Sequence, residues 1–121
     1  MKKSEILELQ NLLNNMTYDE VARFYNSRLG ANNYTINSNE DLIALFNYNI
    51  EEIEGYNLLD EQDKAIVNKG ICRFVDGNGL AYKHNFLVYK IEKHIVENYG
   101  IRYKLYTTNN YSWLYQDLSI G

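Results

Sequence analysis

The residue types able to carry catalysis are few and widely spaced in this chain. Its single cysteine, Cys72, lies beside Ile71 and Phe74, which predicts a buried thiol that behaves as a small apolar side chain rather than as a nucleophile. His84 and His94 stand ten residues apart and belong to no recognised metal-ligand spacing. We therefore expect no metal site, no cofactor and no covalent catalysis.

Two further patterns match functional motifs only in part. Residues 76–79 (Asp-Gly-Asn-Gly) begin like a calcium loop but lack the glutamate at its twelfth position, and Asp-Gly and Asn-Gly favour a hairpin turn. The carboxylate pairs at 51–52 and 60–61 are adjacent in sequence, and adjacent residues of a helix do not converge on one substrate. The sequence therefore predicts a protein that is not an enzyme.

Charge is distributed unevenly along the chain. Residues 1–60 carry four Lys or Arg against ten Asp or Glu, whereas residues 61–121 carry eight against six. No Lys or Arg occurs between Arg28 and Lys64, a stretch that holds eight carboxylates and is called the acidic stretch below. Three interpretations of this negative charge are open. The carboxylates form a solvated surface, they form ion pairs with the basic second half of the chain, or they form a patch that docks into a basic groove of a partner.

The docking interpretation predicts an inhibitor of a nucleic-acid-binding protein. Carboxylates spaced along ordered short helices imitate a phosphate backbone and compete for a basic cleft, and such an association weakens with salt. Two tyrosines are expected to flank the patch as anchors. The predicted partner-binding residues are Glu40, Asp41, Tyr48, Glu51, Glu52, Glu54, Tyr56, Asp60, Glu61 and Asp63.

The C-terminal residues support an alternative interpretation, direct binding of nucleic acid. Aromatic and cationic residues on neighbouring strands form a surface on which single-stranded bases stack. The same pattern is also typical of a core beneath a helix or of a protein-binding hot spot. The net charge of −4 favours the acidic interpretation over this one. The residues of the alternative site are Arg102, Lys104, Tyr106, Tyr111, Trp113 and Tyr115.

Hydrophobic spacing and capping residues predict the helices that carry the acidic stretch. Residues 4–15 show a helical stripe, and Thr17 with Glu20 forms a capping box for a second helix that ends at Gly30. Ser38 is the expected N-cap of a short third helix. Residues 50–55 and 60–69 predict further helical turns.

The pattern changes at Gly70. Strands are predicted at 71–75 and 80–82 around the 76–79 turn, a helix at 85–98, and a second hairpin from 101–106 and 111–115. We therefore expect a single α+β domain over residues 1–121, mainly helical over 1–69 and mixed over 70–121. Its small antiparallel sheet has the order strand–strand–helix–strand–strand. Pairing of edge strands into a homodimer stays open.

Composition sets the protein class. With 121 residues, 45% of them apolar and 23% charged, the chain has the composition of a globular domain. No apolar run approaches the roughly 20 residues that cross a bilayer, and residues 1–5 are not followed by the apolar segment of a signal peptide. We expect a cytoplasmic protein with no membrane partner.

Small size, acidic Asn- and Tyr-rich composition and the predicted α+β layout resemble the accessory proteins of phages and mobile elements. The segments that carry this resemblance are residues 16–26 and 86–99, joined by the acidic stretch. Within that group the chain is most similar to host-defence inhibitors of the anti-CRISPR and anti-restriction type. The resemblance implies stoichiometric binding to a bacterial nuclease effector in the host cytoplasm, which blocks recognition or cleavage of DNA.

Overall fold

A computed structural model describes residues 1–30, 35–75, 87–98 and 100–107 in full, and residues 111–115 as backbone. The first half of the chain is helical and the second half ends in an antiparallel sheet, so the α+β prediction is confirmed. Two short 3-10 turns, Ile50–Glu52 and Tyr56–Leu58, precede the last helix. The helices are α1 Lys3–Asn14, α2 Tyr18–Leu29, α3 Asn39–Phe46 and α4 Glu61–Phe74, and the strands are β1 Val88–Val96, β2 Gly100–Thr107 and β3 Tyr111–Tyr115.

The helix starts agree with the capping residues. The Thr17 hydroxyl accepts a hydrogen bond from the amide of Glu20, and the Glu20 carboxylate accepts one from the amide of Thr17, which completes the capping box of α2. Ser38 caps α3 in the predicted way. Asp60 caps α4 by accepting a hydrogen bond from the amide of Asp63 at 2.8 Å.

The prediction of a strand at 71–75 is wrong, because α4 continues through Gly70 to Phe74. The buried residues Val67, Gly70 and Ile71 recur at helical spacing along α4, so this segment buries one face as a helix. A glycine in a helix interior costs about 1 kcal/mol relative to alanine, yet Gly70 lies buried within α4 and the helix continues past it. The rest of that predicted hairpin, 76–79 and 80–82, lies outside the described residues.

The prediction of a helix at 85–98 is also wrong, because residues 88–96 form strand β1. The apolar residues Val88, Ile91 and Ile95 fit a helical stripe, but they are all β-branched and favour a strand. Lys90, Glu92 and His94 recur at a spacing of two, which is the period of a strand. The strand–strand–helix–strand–strand order is therefore not the order of this chain.

The sheet has the order β1-β2-β3 and is antiparallel throughout. Ile91 pairs with Leu105, and Tyr103 pairs with Leu114, so β2 is the central strand. The predicted hairpin of 101–106 with 111–115 is present as β2 and β3. Asn98 (φ 70°) and Gly100 (φ 83°) adopt the left-handed conformation between β1 and β2, which makes the reversal tight.

Three buried tyrosines whose hydroxyl groups are hydrogen-bonded connect elements that are distant in sequence. Tyr25 of α2 donates to the carbonyl of Val75 at 3.0 Å. Tyr48 donates to the carbonyl of Val88 and accepts from the amide of the same residue, at 2.5 and 3.1 Å. Tyr103 completes the set from β2, and all three side chains are fully buried.

Within the described ranges, no helix is both long and apolar enough to span a bilayer.

Residues Glu54 and Gly55 hold the 3-10 region against the outer edge of β1. The amide of Ile91 donates to the carbonyl of Glu54 at 2.9 Å, and Glu54 forms a parallel bridge with Lys90. Gly55 has a φ of 92°, and a Cβ atom there would overlap the carbonyl oxygen of Ile91. Only glycine satisfies both conditions.

We expect Gly55→Ala to lower the free energy of unfolding by at least ~2 kcal/mol, since it adds backbone strain and a collision with Ile91. Gly30→Ala is the matched control, because Gly30 also has a positive φ (103°) but no atom lies within 4 Å of an added Cβ. The control should lose about 1 kcal/mol, from strain alone. Urea denaturation of both variants measures the difference, and equal losses would contradict the close contact.

Candidate functional site

The structure disperses the acidic stretch instead of presenting it as one uncompensated surface. Glu52 pairs with the N-terminal amine of Met1 at 3.6 Å, and Glu54 pairs with Lys90 at 3.6 Å. Glu61 pairs with Lys64 at the same distance, one helical turn away. All three carboxylates stay exposed, so these pairs are screened by water and contribute little stability.

Asp63 is a buried structural residue, which corrects its predicted role in partner binding. Its carboxylate is 3% exposed and accepts hydrogen bonds from the Tyr103 hydroxyl and the Lys93 ammonium, both at 2.5 Å. Burial alone would raise the pKa of Asp63, but the hydrogen bonds from Lys93 and Tyr103 outweigh it and hold that pKa below its usual value. The same contact raises the pKa of Lys93. Burial and the bond to Asp63 raise the pKa of Tyr103.

The two tyrosines expected to flank the acidic patch are both buried. Tyr48 has no exposed surface and lies under the start of β1. Tyr56 is 4% exposed, with the Lys64 ammonium 5.4 Å from its ring centroid. Neither ring is available as an anchor for a partner, because both are enclosed in the core and contribute their apolar area there.

Three exposed acids of the stretch do come together around two adjoining grooves. Glu40 and Glu51 line a groove of about 660 Å³ between the start of α3 and α4, where Lys69 and Arg73 line it as well. Glu51 and Glu61 line a second groove of about 460 Å³. We call the two together the acidic grooves. The two remaining acids, Asp41 and Asp60, accept hydrogen bonds from the amides of residues 37 and 63.

The acidic grooves meet at Asn68, which lines both of them. The side-chain oxygen of Asn68 is buried and has no hydrogen-bond partner among the described residues. A buried acceptor without a donor costs stability, so this atom favours the approach of a donor from outside the chain.

The second surface is the side of the sheet that faces away from the helices. Residues paired across an antiparallel sheet share a face, and the register pairs Lys90 with Tyr106, Glu92 with Lys104 and His94 with Arg102. These side chains are partly exposed, whereas Ile91, Tyr103 and Leu105 on the other face are buried. The outward sheet face is defined here as Lys90, Glu92, His94, Arg102, Lys104 and Tyr106.

Tyr106 lies at the centre of an ionic network on the outward sheet face. Its hydroxyl donates to Glu92 at 2.5 Å, and the ammonium groups of Lys90 and Lys104 lie 5.3 and 5.0 Å from its ring centroid. The hydrogen bond from Tyr106 lowers the pKa of Glu92, and the nearby carboxylates of Glu54 and Glu92 raise the pKa of Lys90. Positive charge exceeds negative charge on this face, since three Lys or Arg accompany one Glu.

Strand β3 extends the same three rows of residues. Tyr111 pairs with Tyr106, Trp113 with Lys104, and Tyr115 with Arg102. The backbone register therefore aligns the six residues of the alternative site in three neighbouring rows. Lys90, Glu92 and His94 complete the face but were missed at the sequence level, because residues 85–98 were assigned to a helix. Their spacing of two was the signal that could have found them.

Other chemically reactive groups are enclosed or isolated. Burial, together with the nearby Asp41 and Glu40, raises the pKa of Cys72 to about 11, which suppresses the thiolate needed for nucleophilic attack. The Nε2 atom of His94 lies 3.5 Å from Glu92. No group of three His, Cys, Asp or Glu residues within the described part of the chain is arranged to hold a metal ion. His84 lies outside the described residues.

Comparison with known proteins identifies no relative, since the chain matches no protein-family model, no curated protein and no solved structure.

We expect Asp63→Asn to lower the free energy of unfolding at neutral pH by about 1–3 kcal/mol, because it removes the charge that Lys93 faces. The pKa of Asp63 is lower in the folded chain than in the unfolded one. Its ionised form therefore stabilises the fold above about pH 4, and this contribution is lost as the pH falls through the folded pKa.

Urea denaturation across the acid range measures this effect, and the difference between wild type and variant should shrink below about pH 4. Glu61→Gln is the control, since the Glu61 side chain is 95% exposed and should leave the pH dependence unchanged. A constant difference between wild type and Asp63→Asn at all pH values would contradict the proposed ionisation.

Proposed function

We propose that the chain is a non-enzymatic binding protein that holds single-stranded nucleic acid on its outward sheet face. The observation that carries this proposal is the register, because it aligns three rows of cationic and aromatic residues across β1, β2 and β3. Sheets with this composition bind single strands by stacking bases on aromatic rings while cations neutralise the phosphates.

The chemistry of the described residues supports both parts of such a contact. Lys90, Arg102 and Lys104 are spaced along the face at the two ends and the middle of the paired rows. Lys90 and Lys104 lie over the Tyr106 ring, and both ammonium groups are on flexible stems that can turn toward a phosphate. The Tyr106 ring is then free to stack on a base, which contributes about 1–3 kcal/mol.

The acidic grooves belong to the helical half, where most of the 16 Asp and Glu residues of the chain occur. The grooves also carry Lys64, Lys69 and Arg73, so the sheet is the surface on which cations and aromatic rings occur together. We therefore expect modest affinity, strong dependence on salt and little preference for sequence, as stacking surfaces show.

The test is titration with a fluorescently labelled oligonucleotide at low salt. Tyr106→Ala and Lys104→Ala should each weaken binding by roughly tenfold, since one removes a stacking surface and the other a phosphate contact. Three cations in contact with phosphates give a slope of about −2 for the logarithm of affinity against that of salt. Trp113, the single tryptophan of the chain, should lose fluorescence as bases stack near it.

Lys69→Ala is the matched control, because it removes the same charge from the wall of an acidic groove. It should leave oligonucleotide binding unchanged. If the chain does not bind oligonucleotides at low salt, or if Lys69→Ala weakens binding as much as Lys104→Ala, this proposal is wrong.

A second candidate function is inhibition of a bacterial nucleic-acid-targeting effector through the acidic surface. This candidate is favoured by two acceptors that line both acidic grooves. They are the exposed carboxylate of Glu51 and the side-chain oxygen of Asn68, which has no hydrogen-bond partner among the described residues. A Lys or Arg side chain of a partner would donate to both, as in charge-assisted contacts with basic clefts. On this proposal the chain blocks DNA recognition or cleavage by occupying the effector's basic cleft.

Reversing Glu40, Glu51 and Glu61 to Lys should abolish binding to a basic effector protein while leaving the fold intact, since all three are exposed. Affinity capture from a bacterial lysate at low and high salt, followed by mass spectrometry, identifies a partner that depends on these charges. The control reverses Glu5, Glu8 and Glu97, which changes net charge equally outside the grooves. Inhibition of the captured effector that survives in the folded groove variant would overturn this candidate.

A further inference from the structure

Among the residues that the structure describes, strand β1 has one edge that is paired for only part of its length. Its other edge pairs with β2, and the outer edge meets the rest of the described chain at Ile91, whose amide donates to Glu54. Backbone groups of alternate residues in a strand point to the same edge. The N–H and C=O groups of Lys93 and Ile95 therefore also point outward, and no backbone group in the described ranges pairs with them.

An apolar groove of about 590 Å³ runs beside this open edge and is called the edge groove. Its apolar lining residues are Leu58, Leu59 and Ile91, and charged side chains that include Lys93 line it as well. Leu58 is 90% exposed and Ile95, four residues beyond Ile91 on the same face of β1, is 79% exposed. Exposure of two large aliphatic side chains at one sheet edge is the pattern that native proteins avoid unless the edge is covered.

We propose that a second copy of this chain covers the edge, with the two β1 strands pairing antiparallel across a two-fold axis at His94. Gly55 packs on the carbonyl of Ile91, so a neighbouring strand cannot extend past residue 92. The open segment is then 92–96, and its central residue is His94. In this register Lys93 of each copy faces Ile95 of the other, and the two pairs form four backbone hydrogen bonds.

The edge is complementary to itself in shape and in charge. Ile95 of each copy, opposite Lys93 of the other, enters the other copy's edge groove and covers Leu58. On the opposite face, His94 lies diagonally across from Glu92 of the other copy, within the reach of diagonal side-chain pairs. At the axis His94 faces its own symmetry copy, and no other titratable residues of the same charge face each other directly. An interface in which the groove and the side chain that fills it occur on the same surface is isologous, and it closes as a dimer.

Sedimentation velocity over a range of protein concentrations tests the dimer. Leu58→Lys and Ile95→Lys should each raise the dissociation constant of the dimer by roughly tenfold or more, because each removes an apolar anchor from the interface. Both residues are exposed in the single chain, so neither change disturbs the fold. Leu12→Lys is the control, since Leu12 is 57% exposed on α1, outside the edge groove, and should leave the dimer unchanged. A wild-type chain that stays monomeric up to high micromolar concentration would overturn the proposal.

Cross-linking tests the register separately. Two cysteines at the two-fold axis, in His94→Cys, have Cα atoms about 4.5 Å apart, which allows a disulfide. Glu92→Cys is the matched control, because the register offsets its two copies by four residues, on the order of 13 Å. Mild oxidation should give a covalent dimer of His94→Cys alone, while the buried Cys72 is common to both variants. Equal cross-linking of the two variants, or cross-linking of Glu92→Cys alone, would contradict this pairing. Neither readout depends on nucleic acid, so the dimer and the proposed function fail independently.

Discussion

The contact of Asp63 with Lys93 and Tyr103 determines how the two halves of this chain fit together. A carboxylate that is 3% exposed is tolerated only when charged and polar donors reach it, and here the donors come from β1 and β2. At the edge of the sheet, the ion pair between Glu54 and Lys90 likewise joins an acid of the first half of the chain to a base of β1. The charge imbalance between the two halves of the sequence is thus partly compensated by contacts between the helical half and the sheet.

This distribution of charge explains why the sheet, rather than the acidic stretch, provides the more coherent functional surface. The acidic stretch loses Asp63 to the interior and shares three other carboxylates with nearby cations. The outward sheet face keeps its cations and Tyr106 in register, because β-strand pairing fixes their spacing regardless of side-chain flexibility. Among the described residues the same sheet has one edge of β1 that is only partly paired, so the proposed nucleic-acid surface and the proposed dimer edge both depend on the pairing of β1 with β2.

Local signals were sufficient where a few neighbouring residues decide the structure. The capping box at Thr17, the cap at Ser38 and the C-terminal hairpin are all confirmed, since each depends on hydrogen bonds or alternation within a few residues. The errors at 71–75 and 85–98 concern short apolar segments that fit both periods, where burial against distant elements decides between helix and strand. The burial of Tyr48 and Asp63 was equally invisible, because their partners are 40 and 30 residues away in sequence.

The enclosed tyrosines have a chemical consequence for the whole fold. Burial raises the pKa of Tyr48 and of Tyr103, so the folded chain disfavours loss of either phenolic proton. A group whose pKa is raised by folding supports the native state below its unfolded value, near 10 for tyrosine, and withdraws that support above it. The raised pKa of Lys93 acts in the same direction. High pH should therefore weaken the contact between the sheet and the helices at the cluster of Asp63, Lys93 and Tyr103. Low pH should weaken the same cluster through protonation of Asp63.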